Sequence, residues 1–501
     1  MTEDAQQPTQ EESPSPAPHR ESQREGGRRR RRMDALTPAE IVGELDRYIV
    51  GQGAGKRALA IALRNRYRRR QLPYEKRRDI TPKNILMIGP TGVGKTEMVR
   101  RVASMLEAPF IKVEATKYTE VGYVGRDVDS IIHDLVEETV ARLHDRRLAE
   151  VQAKAEQRAT DRIVDYVVAQ AQAGSLRSAK GRSPVRLPAS IRSAQATASG
   201  GEDAKPEIDG VSRRRIGRML RTEKLDDAMI EIEVTPDIEP YEAYWDYGPP
   251  ENAELLHEAP PMVIGRPRPR SRVVCIRDAK RILTREEANK LIDFDAVVDE
   301  ALERVEEGGM VFIDELDKVG GRGQENGADV SGEGVQRDLL PIVEGSVVMT
   351  RYGPVSTHHL LFVAAGSFSR VKPSDLIPEL QGRFPLRVEL EALSKEDLEA
   401  ILVQPENSLC AQYQSLLSIE GVTLEFTPDG IDEMAEIAAS CNRRIEDIGA
   451  RRLSTILEQV LEDVSFRGPD LSGSTVSVDR GFVRERTAEI VANDDLNRFI
   501  L

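Results

Sequence analysis

The sequence predicts an α/β fold built on a parallel sheet, and two observations carry this prediction. Apolar runs typical of buried strands occur at residues 85–88, 110–113, 310–313 and 360–365. Helical patterns separate these runs, as at residues 97–103. Because strands and helices alternate along the chain, the strands are expected to pair in parallel and to be flanked by helices.

The first helix is predicted to begin at Pro38. Thr37 suits the N-cap, Pro38 suits the first helical turn, and Glu40 completes a capping box. A second, basic helix is expected from residue 56 to residue 70.

The loop after the first predicted strand runs from Gly89 to Thr96 and reads Gly-Pro-Thr-Gly-Val-Gly-Lys-Thr. It fits the phosphate-loop pattern G-x-x-x-x-G-K-[ST] at every position. A strand–loop–helix geometry aims backbone N–H groups and the positive end of a helix dipole at one point. Lys95 adds a charge for the β- and γ-phosphates, and Thr96 offers a hydroxyl to Mg²⁺. The context disfavours a glycine-rich turn that fits the pattern by chance.

Two adjacent acids, Asp314 and Glu315, follow the apolar run at 310–313 and form the expected partner of a phosphate loop. Asp314 at the strand end can hold Mg²⁺ through its water shell, and Glu315 can polarise the water that attacks the γ-phosphate. Phosphoryl transfer also needs positive charge in its transition state, for which Arg383 and Arg451 are candidates. The spacing leaves open whether either of them is a surface arginine.

The segment Gly122-Tyr123-Val124-Gly125 is unusual for a core. Its two glycines permit backbone movement, and its aromatic and β-branched side chains can grip an irregular surface by van der Waals contact. A turn that tucks Tyr123 into a core is the alternative.

The chain ends in an apolar sequence, with Phe499, Ile500 and Leu501 as its last residues. Such an end is either a buried final strand or a docking peptide.

Composition excludes several classes of protein. The net charge of the 501 residues is −14, which argues against general nucleic-acid binding. No apolar stretch reaches the ~20 residues of a membrane span, and the N-terminus has no apolar signal core. Cys275, Cys410 and Cys441 form no zinc or disulfide pattern, which is typical of a reducing compartment. We therefore expect a cytoplasmic protein with no membrane partner and no specific nucleic-acid partner.

Five segments together resemble the HslU (ClpY) family, the AAA+ ATPase subunits of the bacterial HslUV protease. They occur in family order, and the resemblance covers residues 36–140 and 296–501; the segments are 89–96, 122–125, 312–315, 374–383 and 497–501. It implies an AAA+ P-loop NTPase with a mostly helical inserted domain and a smaller α+β C-terminal domain. It also implies a homohexameric ring that uses ATP to unfold protein substrates and to thread them into an HslV-type peptidase.

The resemblance implies roles for single residues. Val50 would border the adenine, Arg383 would reach the neighbouring subunit's nucleotide with Glu379 near that interface, and Arg451 would be a second sensor. Tyr123 and Val124 would be the pore-loop grip. The implied nucleotide contacts are Val50, Gly92, Val93, Gly94, Lys95, Thr96, Glu97, Asp314, Glu379 and Arg451; the implied metal ligands are Thr96 and Asp314; the implied docking residues are Leu496, Arg498, Phe499, Ile500 and Leu501.

The implied domain order follows changes in composition along the chain. Residues 143–172 are charged and Ala-rich without glycine, and predict a long solvated helix. Residues 173–210 lack apolar periodicity and predict disorder. The expected domains are a disordered Arg-rich tail at 1–35, an ATPase domain at 36–141 and 301–392, an inserted domain at 142–300, and a C-terminal domain with a docking tail at 393–501.

Some features depart from the family pattern or suggest other functions. Ser367 lies where the family often has alanine and can add a polar contact. A ClpX-like unfoldase is disfavoured because paired C-x-x-C motifs are missing and the insertion is large. The five arginines at 28–32 suggest an anionic docking arm or an ATP-driven nucleic-acid motor, and the acidic net charge argues against the motor. A non-hydrolysing scaffold is disfavoured by Glu315.

Overall fold

The computed structural model describes residues 36–119, 126–172, 177–178, 210–222, 225–234, 270–320, 332–444 and 447–492. The chain forms two compact units. The sheet unit comprises the described residues of Met1–Leu135, Arg304–Val348 and Val355–Leu501. The insertion unit comprises those of Val136–Glu303 and Met349–Pro354.

The helices and strands are numbered in chain order. The helices are α1 Pro38–Asp46, α2 Gly53–Arg70, α3 Tyr74–Arg78, α4 Lys95–Met105, α5 Ser130–Gln172, α6 Gly210–Arg221, α7 Ile276–Leu291, α8 Phe294–Gly308, α9 Gly332–Glu344, α10 Pro378–Arg383, α11 Lys395–Val403, α12 Leu409–Ser418, α13 Pro428–Arg444, α14 Arg451–Phe466 and α15 Arg480–Ala492. The strands are β1 Ile85–Ile88, β2 Phe110–Glu114, β3 Arg177–Ser178, β4 Ala228–Val234, β5 Arg270–Cys275, β6 Met310–Asp314, β7 Val347–Thr350, β8 Gly353–Ser356, β9 Leu361–Gly366, β10 Leu386–Glu389, β11 Thr423–Phe426 and β12 Thr475–Val478.

The sheet unit is built on five parallel strands in the order β10-β1-β9-β6-β2. This arrangement confirms the predicted parallel α/β sheet. In its register, Ile88 pairs with Gly366 and Asp314 pairs with Glu114. The carboxyl ends of the strands therefore meet at one edge, where ligands bind in open α/β sheets. Because the phosphate loop follows β1 and Glu315 follows β6, both lie at that edge.

Apolar strands and the helices beside them form the core of this sheet. Met87, Phe312 and Val363 are fully buried, and α4 packs on them through Met98 and Val102. Removal of these side chains from water supplies the main driving force for this packing.

The predicted start of the first helix is confirmed at Thr37. Its hydroxyl accepts a hydrogen bond from the backbone N–H of Glu40 at 3.3 Å, and the Glu40 carboxylate accepts one from the Thr37 N–H at 2.7 Å. This capping box satisfies two of the donors that a helix start leaves open.

The long helix of the insertion unit differs from its prediction. It begins at Ser130 rather than at residue 143, and it is not solvated on all sides. Ala159, Ile163 and Val167 recur every fourth residue, are buried, and pack in a core with β4, α6 and α7. The prediction of a solvated helix was wrong because its apolar face, which includes Ile163 and Val167, is covered by elements that lie far along the chain.

The last part of the sheet unit is mainly helical. Helices α11 to α15 enclose a separate apolar core with the parallel pair β11 and β12.

Several predicted features lie outside the described residues: the Arg-rich tail, most of the 173–210 segment, the pore loop Gly122, Tyr123, Val124 and Gly125, and the docking residues Leu496, Arg498, Phe499, Ile500 and Leu501. Within the described ranges, no helix combines the length and the apolar character needed to cross a membrane.

Candidate nucleotide-binding site

The phosphate loop connects β1 to α4 and wraps around the ammonium group of Lys95. Gly92 and Gly94 adopt left-handed backbone angles, with φ of +76° and +96°, which only glycine adopts without strain. The Lys95 ammonium donates to the carbonyl oxygens of Gly89 at 2.6 Å and Pro90 at 2.8 Å. The loop therefore holds a buried cation at the N-terminus of a helix, where anions bind.

The pKa of Lys95 reflects opposing influences. Its side chain is only 9% exposed, and this burial lowers the pKa below its ordinary value. Asp314 and Asp317 oppose the shift by raising the pKa, and the charge of Arg451 adds to it. The pKa of Lys95 is therefore set by burial together with the charges of two acids and one arginine.

The acidic side of the site is organised around Asp314 at the end of β6. One carboxylate oxygen, Oδ2, accepts a hydrogen bond from the Thr96 hydroxyl at 3.3 Å and an ion pair from Lys112 at 3.1 Å. The other oxygen accepts the N–H of Glu315 at 3.1 Å. Glu315 itself is exposed and takes a left-handed conformation, with φ of 57°. Such a conformation costs free energy outside glycine and is found most often at functional sites.

A cleft of about 960 Å³ opens beside the phosphate loop. The loop with the start of α4, the end of β6, the turn after β9 and the start of α14 line most of it, and α11 and α12 contribute Ile401 and Leu409. The lining residues include Lys95, Thr96, Glu97, Asp314, Glu315, Asp317, Ser367, Arg370, Ala450 and Arg451. The structure therefore brings together eight predicted site residues: Gly92, Gly94, Lys95, Thr96, Glu97, Asp314, Glu315 and Arg451.

Glu97 lies in this cleft and already has cationic partners. Its carboxylate accepts hydrogen bonds from Arg100 at 2.8 Å and from Arg101 at 2.6 Å. Burial raises its pKa, but the hydrogen bonds from the two arginines outweigh burial and leave the pKa below its usual value. Glu97 therefore stays ionised at neutral pH.

A turn before α14 packs directly on the phosphate loop, a contact that the sequence analysis missed. The Ala450 N–H donates to the Gly92 carbonyl at 3.2 Å. A Cβ on Gly449 would lie 2.8 Å from the Gly92 carbonyl carbon, and Gly449 has a φ of +58°. Only glycine fits at positions 92 and 449. Because the turn approaches the loop so closely, the next residues of α14 bring Arg451 into the cleft.

Arg383 and Glu379 do not reach this cleft. Arg383 ends the short helix α10 and forms an ion pair with Glu344 at the surface. Glu379 is exposed on the same helix.

Val50 lies in a segment that borders the loop at Gly94. The neighbouring Ile49 side chain is 3.7 Å from the position that a Cβ on Gly94 would occupy. The Gln52 side chain anchors the segment, since it exchanges hydrogen bonds of 2.8 Å and 3.2 Å with the backbone of Glu391. Val50 itself is half-buried and does not line the cleft.

Three further side chains belong to the site: Ser367, for which the sequence analysis allowed a polar contact, and Asp317 and Lys112, for which no motif specified a role. The Ser367 hydroxyl donates to the buried Asp317 carboxylate at 2.8 Å. Lys112 pairs with Asp314, as described above. A lysine within an apolar strand and an acid three residues after Asp314 were the available signals, although neither pattern specifies a partner.

Comparison with known proteins places these features in a family. Residues 85–161 match the ATPase family associated with various cellular activities (AAA), and residues 252–387 match the AAA domain of the Cdc48 subfamily. Three relatives are each named ATP-dependent protease ATPase subunit HslU. Identity is 50% over 471 residues with that of Desulfitobacterium hafniense, 49% over 477 with that of Syntrophomonas wolfei and 47% over 472 with that of Caldanaerobacter subterraneus. Each alignment covers 94% of this chain and 100% of the relative.

Proposed function

Because this chain belongs to the HslU family of ATP-dependent protease ATPase subunits, we propose that it unfolds protein substrates and threads them into a separate HslV-type peptidase. It is an AAA+ ATPase, and the predicted AAA+ P-loop fold is confirmed by the two AAA matches and the parallel sheet. The proposal assigns ATP hydrolysis to this chain and peptide-bond cleavage to the partner.

In the proposed hydrolytic step, Lys95 and the loop N–H groups bind the β- and γ-phosphates of ATP. The Lys95 ammonium would exchange its two loop carbonyl partners for phosphate oxygens, which are better acceptors for a buried cation. Glu315 then orients and polarises the attacking water, in the role of a general base. Its exposure at the cleft and its position one residue after Asp314 support this role.

The residues around Asp314 suit Mg²⁺. Among the described residues, no group of three or more His, Cys, Asp or Glu side chains could hold a metal ion by itself. Mg²⁺ instead prefers one or two protein oxygens together with phosphates and waters, and the Thr96 hydroxyl and the Asp314 carboxylate lie 3.3 Å apart. When bound, Mg²⁺ would neutralise charge that develops on the phosphates. Thr96 and Asp314 are the residues that would hold it.

Assembly into a homohexameric ring would complete the site. Arg383 lies outside its own cleft at the surface, which supports a role at the nucleotide of a neighbouring subunit, with Glu379 beside that interface. Arg451 lies in its own cleft and would sense the nucleotide from within the chain. We further propose that Val50 borders the adenine, that Gly92, Val93, Gly94 and Glu97 contribute to nucleotide binding, and that the ring works in the cytoplasm.

The single observation that carries the proposal is the cleft that joins Lys95, Asp314, Glu315 and Arg451, in a chain that matches its relatives over their whole length. The test is a degradation assay with ATP, a folded substrate and an HslV-type peptidase. We expect degradation only when all components are present. ATP hydrolysis without any degradation by the full assembly would contradict the proposed coupling.

The C-terminal docking residues are tested by deletion of residues 496–501. We expect degradation to be lost while ATP hydrolysis continues, because the peptidase no longer binds. Pull-down of the peptidase measures docking directly. Full degradation by the truncated chain would remove the tail from the proposal.

The grip proposed for Tyr123 is tested by Tyr123→Ala, with Tyr123→Phe as the control that keeps the ring. We expect the alanine variant to hydrolyse ATP but to unfold a folded substrate slowly, because the aromatic contact area is lost. The phenylalanine variant should retain most of the unfolding rate. Equal unfolding rates for wild type and Tyr123→Ala would refute the grip.

A further inference from the structure

The insertion unit contains an open groove that belongs to no part of the nucleotide site. We call it the insertion groove, and its volume is about 800 Å³. Helix α5 forms one wall and helix α7 forms the other, and Leu220 and Arg221 at the end of α6 complete it. The groove lies entirely within the insertion unit.

The α7 wall carries a row of arginines. Arg277, Arg281 and Arg285 follow one another at every fourth position, line the groove and are exposed. Four residues of an α-helix rise about 6 Å, so the guanidinium groups start from backbone positions with that spacing. Arg221 adds a further exposed cation to the groove.

The ion pair of Arg277 leaves most of its charge available to the groove. The ion pair of Arg277 with Asp227 spans 3.8 Å between side chains that are 72% and 73% exposed, and such pairs contribute little. Lys280, in contrast, is committed to the Asp226 carboxylate at 2.7 Å and to the Leu220 carbonyl at 2.9 Å. A ligand in the groove therefore meets the exposed Arg277 and Arg281 rather than Lys280.

The remainder of the groove is partly apolar and partly acidic. Leu148 and Ala149 of α5 line it together with the buried side chains of Ala159 and Leu220. Asp145 and Glu156 lie on the same α5 wall, opposite the arginines. The groove thus offers a cationic row on α7, faced by an α5 wall that carries both apolar and acidic side chains.

We infer that the insertion groove binds acidic polypeptide segments that also carry apolar side chains. Alternate side chains of an extended peptide lie ~6.6–6.8 Å apart on one face, which is close to the spacing of the arginine row. Carboxylates accept paired hydrogen bonds from guanidinium groups, and apolar side chains of the same segment would rest on Leu148 and Ala149. The segments would belong to protein substrates, and this assignment rests on the proposed function.

A nucleic acid fits the groove less well. Asp145 and Glu156 would repel a backbone that carries a phosphate at every nucleotide, whereas an extended peptide can direct its carboxylates toward the arginines alone. The net charge of −14 opposes long-range attraction of nucleic acid in addition.

The test uses the full chain and a short fluorescein-labelled peptide in which glutamate alternates with leucine and alanine. Fluorescence anisotropy should detect binding of this peptide and not of a matched peptide with lysine in place of glutamate. The double variant Arg277→Glu/Arg281→Glu should bind at least about tenfold more weakly, because two attractive pairs become repulsive.

The matched control is Arg158→Glu/Arg272→Glu, which changes two exposed arginines of the same unit outside the groove by the same charge. It should bind the peptide as wild type does, and circular dichroism should show both variants folded. Equal binding by both double variants, or preferential binding of a single-stranded RNA, would overturn the inference. If wild type binds no peptide yet hydrolyses ATP and degrades a folded substrate, the groove assignment fails and the proposed function stands. If the peptide binds but no ATP-driven degradation occurs, the proposed function fails instead.

Discussion

The nucleotide cleft and the insertion groove are recesses of similar size that hold charge in opposite ways. In the cleft, a single lysine is buried, and carbonyl oxygens 2.6 Å and 2.8 Å away hold its ammonium. In the groove, several arginines stand exposed along one helix face. The cleft depends on the positions of single atoms, whereas the groove depends on a sum of charges.

This difference predicts how each recess responds to change. Close packing and burial make interactions strong and intolerant of an added methyl group or a lost charge. Exposed charges are screened by solvent and salt, so each contributes little and none is indispensable. Single substitutions should therefore have large effects in the cleft and small effects in the groove.

The largest effect is expected for Glu315→Gln. The amide keeps the shape of the side chain but cannot accept a proton from the attacking water, so hydrolysis should slow by at least ~10²-fold while ATP still binds. Phosphate release and binding of a fluorescent nucleotide measure the two properties. Glu333→Gln, an exposed acid of α9 outside the cleft, is the control and should hydrolyse ATP normally. Normal turnover by Glu315→Gln would remove this residue from the mechanism.

A smaller but clear effect is expected for Gly449→Ala. The added methyl group would collide with the Gly92 carbonyl, and the left-handed backbone alone costs about 1–2 kcal/mol for alanine. We expect a lower free energy of unfolding and weaker ATP binding. Chemical denaturation and nucleotide titration measure both quantities.

Gly43→Ala is the matched control for that substitution. Gly43 lies in α1 with nothing within 4 Å of an added Cβ. Alanine is favoured over glycine in a helix by about 0.5–1 kcal/mol, so this variant should be slightly more stable than wild type. If both variants behave alike, the tight contact between Gly449 and the phosphate loop is not important.

A still smaller effect is expected for Arg281→Lys in the groove. The charge is kept while the paired hydrogen bonds of a guanidinium are lost, so peptide binding should weaken only several-fold. Fluorescence anisotropy with the acidic peptide measures the change. A complete loss of binding would show that the groove depends on one residue, contrary to the comparison.

The smallest difference between the two recesses is expected in how the salt concentration changes their ligand affinities. Raising the ionic strength from about 0.1 M to about 1 M shortens the Debye length from ~10 Å to ~3 Å. Peptide binding in the groove should weaken more than ATP binding in the cleft, because the buried Lys95 is screened less than the exposed arginines. An equal loss of both affinities would argue against this distinction.

Local patterns allowed much of the site to be predicted. The phosphate loop, Asp314 and Glu315 were identified because a strand end or a helix start specifies their geometry over a few residues. The capping box at Thr37 and Glu40 was predicted for the same reason. Interactions of this kind depend on neighbours in sequence, which a pattern can record.

Other features depend on segments that are distant in sequence. The buried face of α5 was missed because its partners, among them β4 and α7, come much later in the chain. The contact of Gly449 with Gly92 joins positions more than three hundred residues apart, and no spacing rule predicts it. The sequence contains arginines at every fourth position of α7, which places them on one face of that helix. The groove itself exists only because α5 and α7 form facing walls.

Nucleotide binding and hydrolysis on a parallel sheet could be predicted from the chain's residues alone, because the motifs that carry this chemistry are short and local. The position of each candidate arginine relative to the cleft depends instead on tertiary packing. Sequence spacing did not distinguish Arg383 from Arg451, and only the family resemblance gave them different roles; in the structure Arg451 lines the cleft, whereas Arg383 pairs with Glu344 at the surface. The physical reason is that charge acts through distance in space, and the packing of the Gly449 turn on the phosphate loop sets that distance for Arg451.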